Sequence, residues 1–251
     1  MSITNSILSD GRALWHILAT PHRGSTHRER LNQFYGGQAD VYDSFRKRML
    51  HGRQEMIDSL DVRPQGVWVD MGCGTGENLE RFGERLELFS GIYLVDLCDA
   101  LLDVARRRSH SVSTAAPISI HAADATQFDL PGLKADLVTF SYSLTMIPDW
   151  FAAIDNAYRM LKPGGIIGVT DFFVSRKYVD PGDISHGWLT RTGWPIWFAM
   201  DNVCLEPDRM TMLRRKFETV SFSQHRGHIA YIPFFKVPYY VFVGRKPDSD
   251  I

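Results

Sequence analysis

A largely apolar run, Val67-Trp68-Val69-Asp70-Met71, gives way to Gly72-Cys73-Gly74-Thr75-Gly76 and then to the helix-compatible Glu77-Asn78-Leu79-Glu80-Arg81-Phe82. Strand, glycine turn and helix in that order read as the start of a parallel crossover, because parallel neighbours need a long connection and a helix usually provides it. The glycines let the chain turn tightly at the carboxyl end of the strand and let a bulky ligand approach the backbone without meeting a Cβ. A nucleoside-sized ligand suits such a loop. The spacing Gly72-x-Gly74-x-Gly76 differs from the dinucleotide fingerprint, whose third glycine is displaced, and no lysine follows as a phosphate loop requires. NAD and ATP are therefore disfavoured.

The same rhythm continues downstream. Gly91 to Asp96 reads as a second strand with Ala100 to Arg108 as its helix, Ile118 to His121 as a third strand and Asp136 to Ser141 as a fourth, followed by a helix from Asp149 to Leu161. The turn Lys162-Pro163-Gly164-Gly165 leads into a fifth strand, Ile166 to Asp171, and two late strands, Thr219 to Gln224 and Tyr239 to Gly244, close the sheet. Upstream, residues 28–60 are helical in character, with Tyr42, Phe45, Met49, Met56 and Leu60 on one broad face. Residues 176–212 break the rhythm with Trp188, Trp194, Trp197 and Phe198 among turn formers, and read as an insertion or lid. Alternation of this kind specifies an α/β fold, a parallel sheet with helices on both faces. A chain of 251 residues suffices for a single unit of this type, divided into a helical cap and entry segment at 1–60 and a core at 61–251.

A net charge of −1 with 23% charged residues gives no excess that would draw nucleic acid. Cys73, Cys98 and Cys204 stand at unrelated spacings, so neither a disulfide framework nor a metal site is expected, and a reducing cytoplasm fits. No segment approaches the ~20 apolar residues of a membrane-spanning helix, and the N-terminus lacks the pattern of a signal peptide. Ile7, Leu8, Leu14, Trp15, Ile17 and Leu18 can gather on part of a short helix followed by His22 and Arg23. Packing on the domain is the first expectation for that helix, and contact with a membrane surface the second.

Three carboxylates stand in register with the glycine loop. Asp70 precedes it and is expected near the cationic amino-acid end of a bound cofactor, directly or through water. Asp96 ends the second strand, twenty residues after Gly76, where an acidic side chain can accept hydrogen bonds from both ribose hydroxyls. Asp124 follows the third strand, placed to accept the adenine amino hydrogen while the backbone N–H of Ala125 donates to the ring. Singly, an aspartate at a strand end more often caps a helix; three in register with a glycine loop outweigh that reading.

Asp70 to Gly76, Asp96, Asp124-Ala125 and Leu161-Lys162-Pro163-Gly164-Gly165 resemble the motifs of class I S-adenosylmethionine-dependent methyltransferases. The resemblance implies a Rossmann-like, seven-stranded, mostly parallel sheet whose last strand is antiparallel, with S-adenosylmethionine over the ends of strands one and two. Expected cofactor contacts are Tyr42, Arg53, Asp70, Gly72, Gly74, Gly76, Asp96, Asp124, Ala125 and Ser141, with Arg53 or Arg226 pairing a carboxylate of cofactor or substrate.

A narrower resemblance covers nearly the whole chain. Arg30 to Asp43, His51-Gly52-Arg53, Ser141 to Pro148, Asp171 to Ser175 and Pro238 to Val241 look like segments of the methyltransferase component of betaine-lipid synthases. That resemblance implies a lipid amine substrate, the amino group of diacylglyceryl-homoserine, methylated three times. It also implies a partner that supplies the 3-amino-3-carboxypropyl group, and a peripheral position at the inner face of a membrane. Methylating an amine requires nitrogen, carbon and sulfur held in line and a lost proton, and needs no strong protein nucleophile. Tyr35, Tyr142 and Tyr239 are the residues expected at the reaction centre, and with Tyr42 and Tyr240 they are candidates for a wall that stabilises a quaternary ammonium. His186, His225 and His228 are weaker candidates for a base. The alternatives are another lipid or small-molecule amine, such as an ethanolamine phospholipid, and a catalytically silent cofactor-binding subunit.

Overall fold

The computed structural model describes residues 26–35, 49–199, 203–229 and 232–248. In chain order these form α1 (His27–Tyr35), α2 (Arg53–Asp58), β1 (Gly66–Met71), α3 (Glu77–Phe82), β2 (Phe89–Asp96), α4 (Asp99–Ser109), β3 (Ile118–Ala122) and β4 (Ala135–Ser141). They continue with α5 (Trp150–Met160), β5 (Leu161–Phe172), α6 (Trp188–Ala199), α7 (Asp208–Lys216), β6 (Glu218–Ile229) and β7 (Ile232–Arg245). The seven strands lie in the order β3-β2-β1-β4-β5-β7-β6, with β7 antiparallel to both of its neighbours and β1 to β5 parallel. Parallel strands with helices between them are what the alternation predicts, and seven strands with an antiparallel last one are what the methyltransferase resemblance implies.

Every residue of β1 is buried, so the strand divides its side chains between two cores. Val67, Val69 and Met71 join Val138, Phe140, Ile154 and Phe242 on the face covered by α5 and α7. Trp68 points the other way, among Met56, Ile57, Leu79, Ile92 and Val241 under α2 and α3. The alternation follows from the two-residue period of a strand buried on both faces. Of the upstream apolar face, Met56 and Leu60 fill this second core, whereas Tyr42 and Phe45 lie outside the described residues, as do Ile7 to Leu18.

Three boundaries depart from the sequence reading. The turn Lys162-Pro163-Gly164-Gly165 belongs to β5, whose register jumps from Ala135↔Leu161 to Leu137↔Ile166. Gly164 adopts φ +69°, its N–H donates to Lys246 O at 2.9 Å and Lys246 N–H donates to Gly165 O at 2.8 Å, so the far end of β7 supplies the ladder that a free turn would lack. The late strands extend to Glu218–Ile229 and Ile232–Arg245, each longer than expected because antiparallel pairing continues beyond the apolar stretch. The upstream helical region holds two separate helices, α1 and α2, among the described residues.

The insertion after β5 packs across the carboxyl ends of β4 and β5. Phe198 is the buried residue of α6, its ring 4.8 Å from that of Phe172, which in turn meets Tyr142 at 4.6 Å. Ser175 and His186 exchange hydrogen bonds, Ser175 N–H to Nδ1 at 3.0 Å and His186 N–H to Ser175 Oγ at 2.9 Å, which closes the segment between them. Phe198→Ala should free α6 from the sheet while costing the global fold little. Hydrogen exchange should speed up for amides 188–199 alone, and equally faster exchange throughout β4 and β5 would contradict this.

Candidate cofactor and acceptor site

Gly72, Gly74 and Gly76 have φ of +68°, +56° and +72°, a left-handed backbone that other residues adopt only with strain. Space is also short at two of them: a Cβ on Gly72 would overlap Ser143, and one on Gly76, which opens α3, would crowd Ala105 Cβ of α4 at 3.3 Å. The loop is held from β2. Gly72 and Cys73 donate their N–H groups to Val95 O at 2.8 and 3.0 Å, and Asp96 accepts Gly74 N–H on Oδ2 and Cys98 N–H on Oδ1, each at 2.8 Å. Asp96 thus shapes the loop it faces and also lines the cleft.

A cleft of about 220 Å³ opens here, lined by Gly72, Gly74, Asp96, Asp124, Ala125 and Tyr142 among others. These expected contacts are brought together. Leu31 of α1 forms part of the rim, a contact the sequence reading missed. That helix is anchored to the start of α4, with Asn32 Oδ1 accepting Asp99 N–H at 2.9 Å and Arg28 NH2 donating to Asp99 Oδ1 at 2.7 Å. Met146, Ile147, Pro148 and Asp149 complete the opposite wall. Asp149 also caps α5, accepting Ala152 N–H at 3.0 Å.

Asp70 is fully buried. Its Oδ1 accepts Thr139 Oγ1–H at 2.6 Å, and Asn78 Nδ2 donates to Oδ1 and Oδ2 at 3.2 and 3.1 Å. Direct contact with a cofactor ammonium is closed to it, and its role is to tie β1 to α3 and β4 beneath the loop. Burial is the main cause that pushes its pKa up to about 6, against the opposing hydrogen bonds from Thr139 and Asn78. Arg53 is likewise drawn inward: its NH1 lies 2.5 Å from Glu77 Oε2, whose other oxygen meets Arg81, and its guanidinium carbon lies 5.8 Å from the centre of the Tyr142 ring. The acid at the first turn of α3 was the available signal for this partner. Gly76 and Ser141 are structural neighbours of the cleft, the first opening α3 and the second buried at the end of β4.

Tyr142 is the most constrained of the tyrosines. It has φ +56°, is 3% exposed, lines the cleft and donates its hydroxyl to His51 O at 2.7 Å. Burial drives its hydroxyl pKa well above the ordinary range, so it acts as a neutral donor. Tyr239 lies two strands away on β7, its ring between those of His225 at 5.1 Å and His51 at 5.8 Å. His225 Nε2 donates to Glu55 Oε1 at 3.0 Å. Tyr240 is excluded from any ammonium wall: the strand period turns it to the other face, where it is 1% exposed beside Phe173. His186 is excluded as a base, since its Nδ1 already accepts a hydrogen bond and burial pushes its pKa down to about 4. Arg226 and His228 are exposed, and the carbonyl of His228 accepts from His51 Nε2 at 2.9 Å. The backbone of Tyr35 belongs to α1, and its side chain, with all of Tyr42, lies outside the described residues.

Comparison with known proteins agrees with this geometry. Residues 69–169 match the family described as a methyltransferase domain. The ubiquinone/menaquinone biosynthesis C-methyltransferase UbiE of Hydrogenovibrio crunogenus is 28% identical over 138 residues, 54% of this chain and 54% of the relative, so the chain spans about half of that protein. The N-methyltransferase NodS from Bradyrhizobium japonicum superposes with a TM-score of 0.56 at 19% identity, covering 78% of this chain and 94% of that one. Phosphoethanolamine N-methyltransferase 2 of Haemonchus contortus, solved with phosphomonomethylethanolamine and S-adenosylhomocysteine, gives 0.66 at 13% identity over 89% of this chain and 61% of that one.

Two expectations follow. Asp96→Ala should weaken cofactor binding by about 1 to 3 kcal/mol, because ribose hydroxyls and the Gly74 N–H both lose their acceptor; unchanged calorimetric affinity in the folded variant would remove Asp96 from the site. Asp70 binds its proton more tightly folded than unfolded, so its contribution to stability falls as pH rises from about 4 through 6. Relative to Asp70→Asn, the wild type should lose about 2 to 3 kcal/mol across that window, read from urea midpoints; parallel pH curves would refute the assignment.

Proposed function

We propose that this chain, a class I S-adenosylmethionine-dependent methyltransferase by its fold, its cleft and its family match, is an N-methyltransferase that methylates the amino group of diacylglyceryl-homoserine three times. One observation carries the choice of a cationic product. On the far side of Tyr142 from the glycine loop, Phe172 and Phe198 are buried and the half-buried Trp194 and Tyr239 pack against them, an aromatic cluster at the ends of β4, β5 and β7. Aromatic faces attract a quaternary ammonium by about 0.5 to 2 kcal/mol each.

The residues present fit the cofactor. Asp96 would take the ribose, Asp124 and Ala125 would take the adenine, and Gly72 and Gly74 line the cleft with bare backbone. S-adenosylmethionine, when bound, supplies an electrophilic methyl group. Tyr142 lines the cleft and would orient what lies against it, and Phe172 and Phe198 pack behind its ring. Of the histidines weighed as proton acceptors, His225 suits the acceptor side, where Glu55 orients it. Tyr35 at the reaction centre and Tyr42 at the cofactor are assigned by resemblance alone.

A lipid acceptor has to be reached at a bilayer. Among the described residues no helix is long and apolar enough to cross a membrane. Helix α6 instead exposes Trp188, Leu189, Ile196 and Trp197, and Trp194 packs against Phe198. We assign the exposed face to peripheral contact with headgroups at the inner face of a membrane. The likeness to UbiE favours a second reading, carbon methylation of a quinone precursor.

Purified chain should be incubated with labelled cofactor and, separately, diacylglyceryl-homoserine in micelles, an ethanolamine phospholipid, and a quinone precursor. The expected result is a product of the first carrying three added methyl groups. Methylation of the quinone precursor alone would establish the second reading, and methylation of the ethanolamine lipid alone would keep N-methylation and discard the homoserine headgroup.

A further inference from the structure

Helix α5 touches the back of the cofactor cleft at a position that no sequence motif marks. Asn156 is 4% exposed, and its Nδ2 donates to two backbone carbonyls of the loop after β3, Ala125 O at 2.9 Å and Phe128 O at 2.8 Å. Arg159 NH2 donates to Asn156 Oδ1 at 3.2 Å, which settles the amide orientation with its oxygen toward the guanidinium and its two hydrogens toward the carbonyls.

On its cleft side the same loop is wound on itself. Asp124 Oδ1 accepts the N–H and the hydroxyl of Thr126, each at 2.8 Å, and Asp124 O accepts Gln127 N–H at 3.0 Å and Phe128 N–H at 2.8 Å. Asp124, Ala125 and Thr126 face the cleft. The turn therefore has internal bonds in front and the amide of Asn156 behind.

We propose that Asn156 is a positioning residue for recognition of the adenine base. By holding the carbonyls of Ala125 and Phe128 against α5, it fixes where the Asp124 carboxylate and the Ala125 N–H stand relative to the ring. The inference rests on reading Asp124 and Ala125 as the adenine-facing pair. The residue type follows from the chemistry: two buried carbonyls need two donors from one direction, and the third partner is a cation that needs an acceptor. Only an amide side chain meets all three, and glutamine is longer by a methylene. A carboxylate at this position would face two carbonyl oxygens, and an alanine would leave both without partners, so the loop would shift to find water.

Adenine and its 6-oxo counterpart invert both contacts, since the amino donor becomes a carbonyl and the ring acceptor N1 becomes a donor. Preference for one over the other therefore reads the loop's geometry. Affinities for S-adenosylhomocysteine and its inosyl analogue should be measured by calorimetry on wild type, Asn156→Ala, Asn156→Ser, Asn156→Asp and Asp124→Asn. Wild type should prefer the adenosyl form, and Asn156→Ala should narrow that preference about tenfold. At saturating cofactor the turnover of Asn156→Ala should stay near that of wild type while KM for cofactor rises. Asn156→Ser, with one donor, should fall between, and Asn156→Asp should lose more than Ala; if Ala does not fold, Ser carries the comparison. A full preference in the folded Asn156 variants, with Asp124→Asn abolishing it, overturns the role of Asn156 alone. A full preference in Asp124→Asn overturns the reading of Asp124, and this proposal with it.

Discussion

The chain must leave β1 through a backbone that is left-handed at three of five consecutive residues, and the rest of the site is arranged around that requirement. Glycine removes the steric cost of those conformations but supplies no side chain to hold them. The holding comes from β2, where Val95 O and the Asp96 carboxylate collect the N–H groups of Gly72, Cys73 and Gly74. Beneath the loop Asp70 binds Thr139 and Asn78, and Glu77 clamps Arg53 and Arg81. Buried carboxylates are costly unless paired and hydrogen-bonded; Glu77 is both, whereas Asp70 has hydrogen bonds alone and burial raises its pKa. They keep the floor rigid while the rim stays open to a ligand.

Sheet order then lays the site out in a line. Asp124 follows β3, Asp96 ends β2, the glycine loop ends β1, and Tyr142 follows β4, with Phe172 on β5 and Tyr239 on β7 beyond it. Neighbouring strands stand about 4.8 Å apart, so these residues follow one another along the carboxyl edge of the sheet. The line is polar at one end and aromatic at the other. The order reverses between β1 and β4, and a crevice forms at such a switch point because the connections leave toward opposite faces. Tyr142 stands at that reversal, in a left-handed backbone held by Thr170 O at 2.8 Å and by its own hydroxyl on His51.

The elements outside the sheet close the two ends. Helix α1 contributes Leu31 to the cofactor rim and is anchored through Asn32 and Arg28 to the first residue of α4. Arg28 holds the Asp99 carboxyl below its usual pKa, while Asn32 supplies the acceptor that Cys98 at the helix start cannot. At the other end α6 covers Phe172 with Phe198 and leaves Trp188, Leu189, Ile196 and Trp197 facing outward.

The sequence by itself determined the order of strands and helices, the glycine loop and the positions of Asp96 and Asp124, because each is signalled within a few residues by period or turn chemistry. It did not determine which side of a strand or floor a polar group would serve. Asp70 and Arg53 read as cofactor contacts, and the fold sets them against Thr139, Asn78 and Glu77; the Asp70–Thr139 partners lie 69 residues apart. Tyr239 and Tyr240 read alike, and the pleat of β7 sent one toward His225 and the other into the core beside Phe173. Asn156 and Leu31 carried no signal at all, since a helical asparagine or leucine is ordinary until the fold sets it against Ala125 or the cleft. Local pattern fixes what each segment becomes; only the packed sheet decides which buried donors and acceptors meet, because that depends on contacts between segments the sequence keeps far apart.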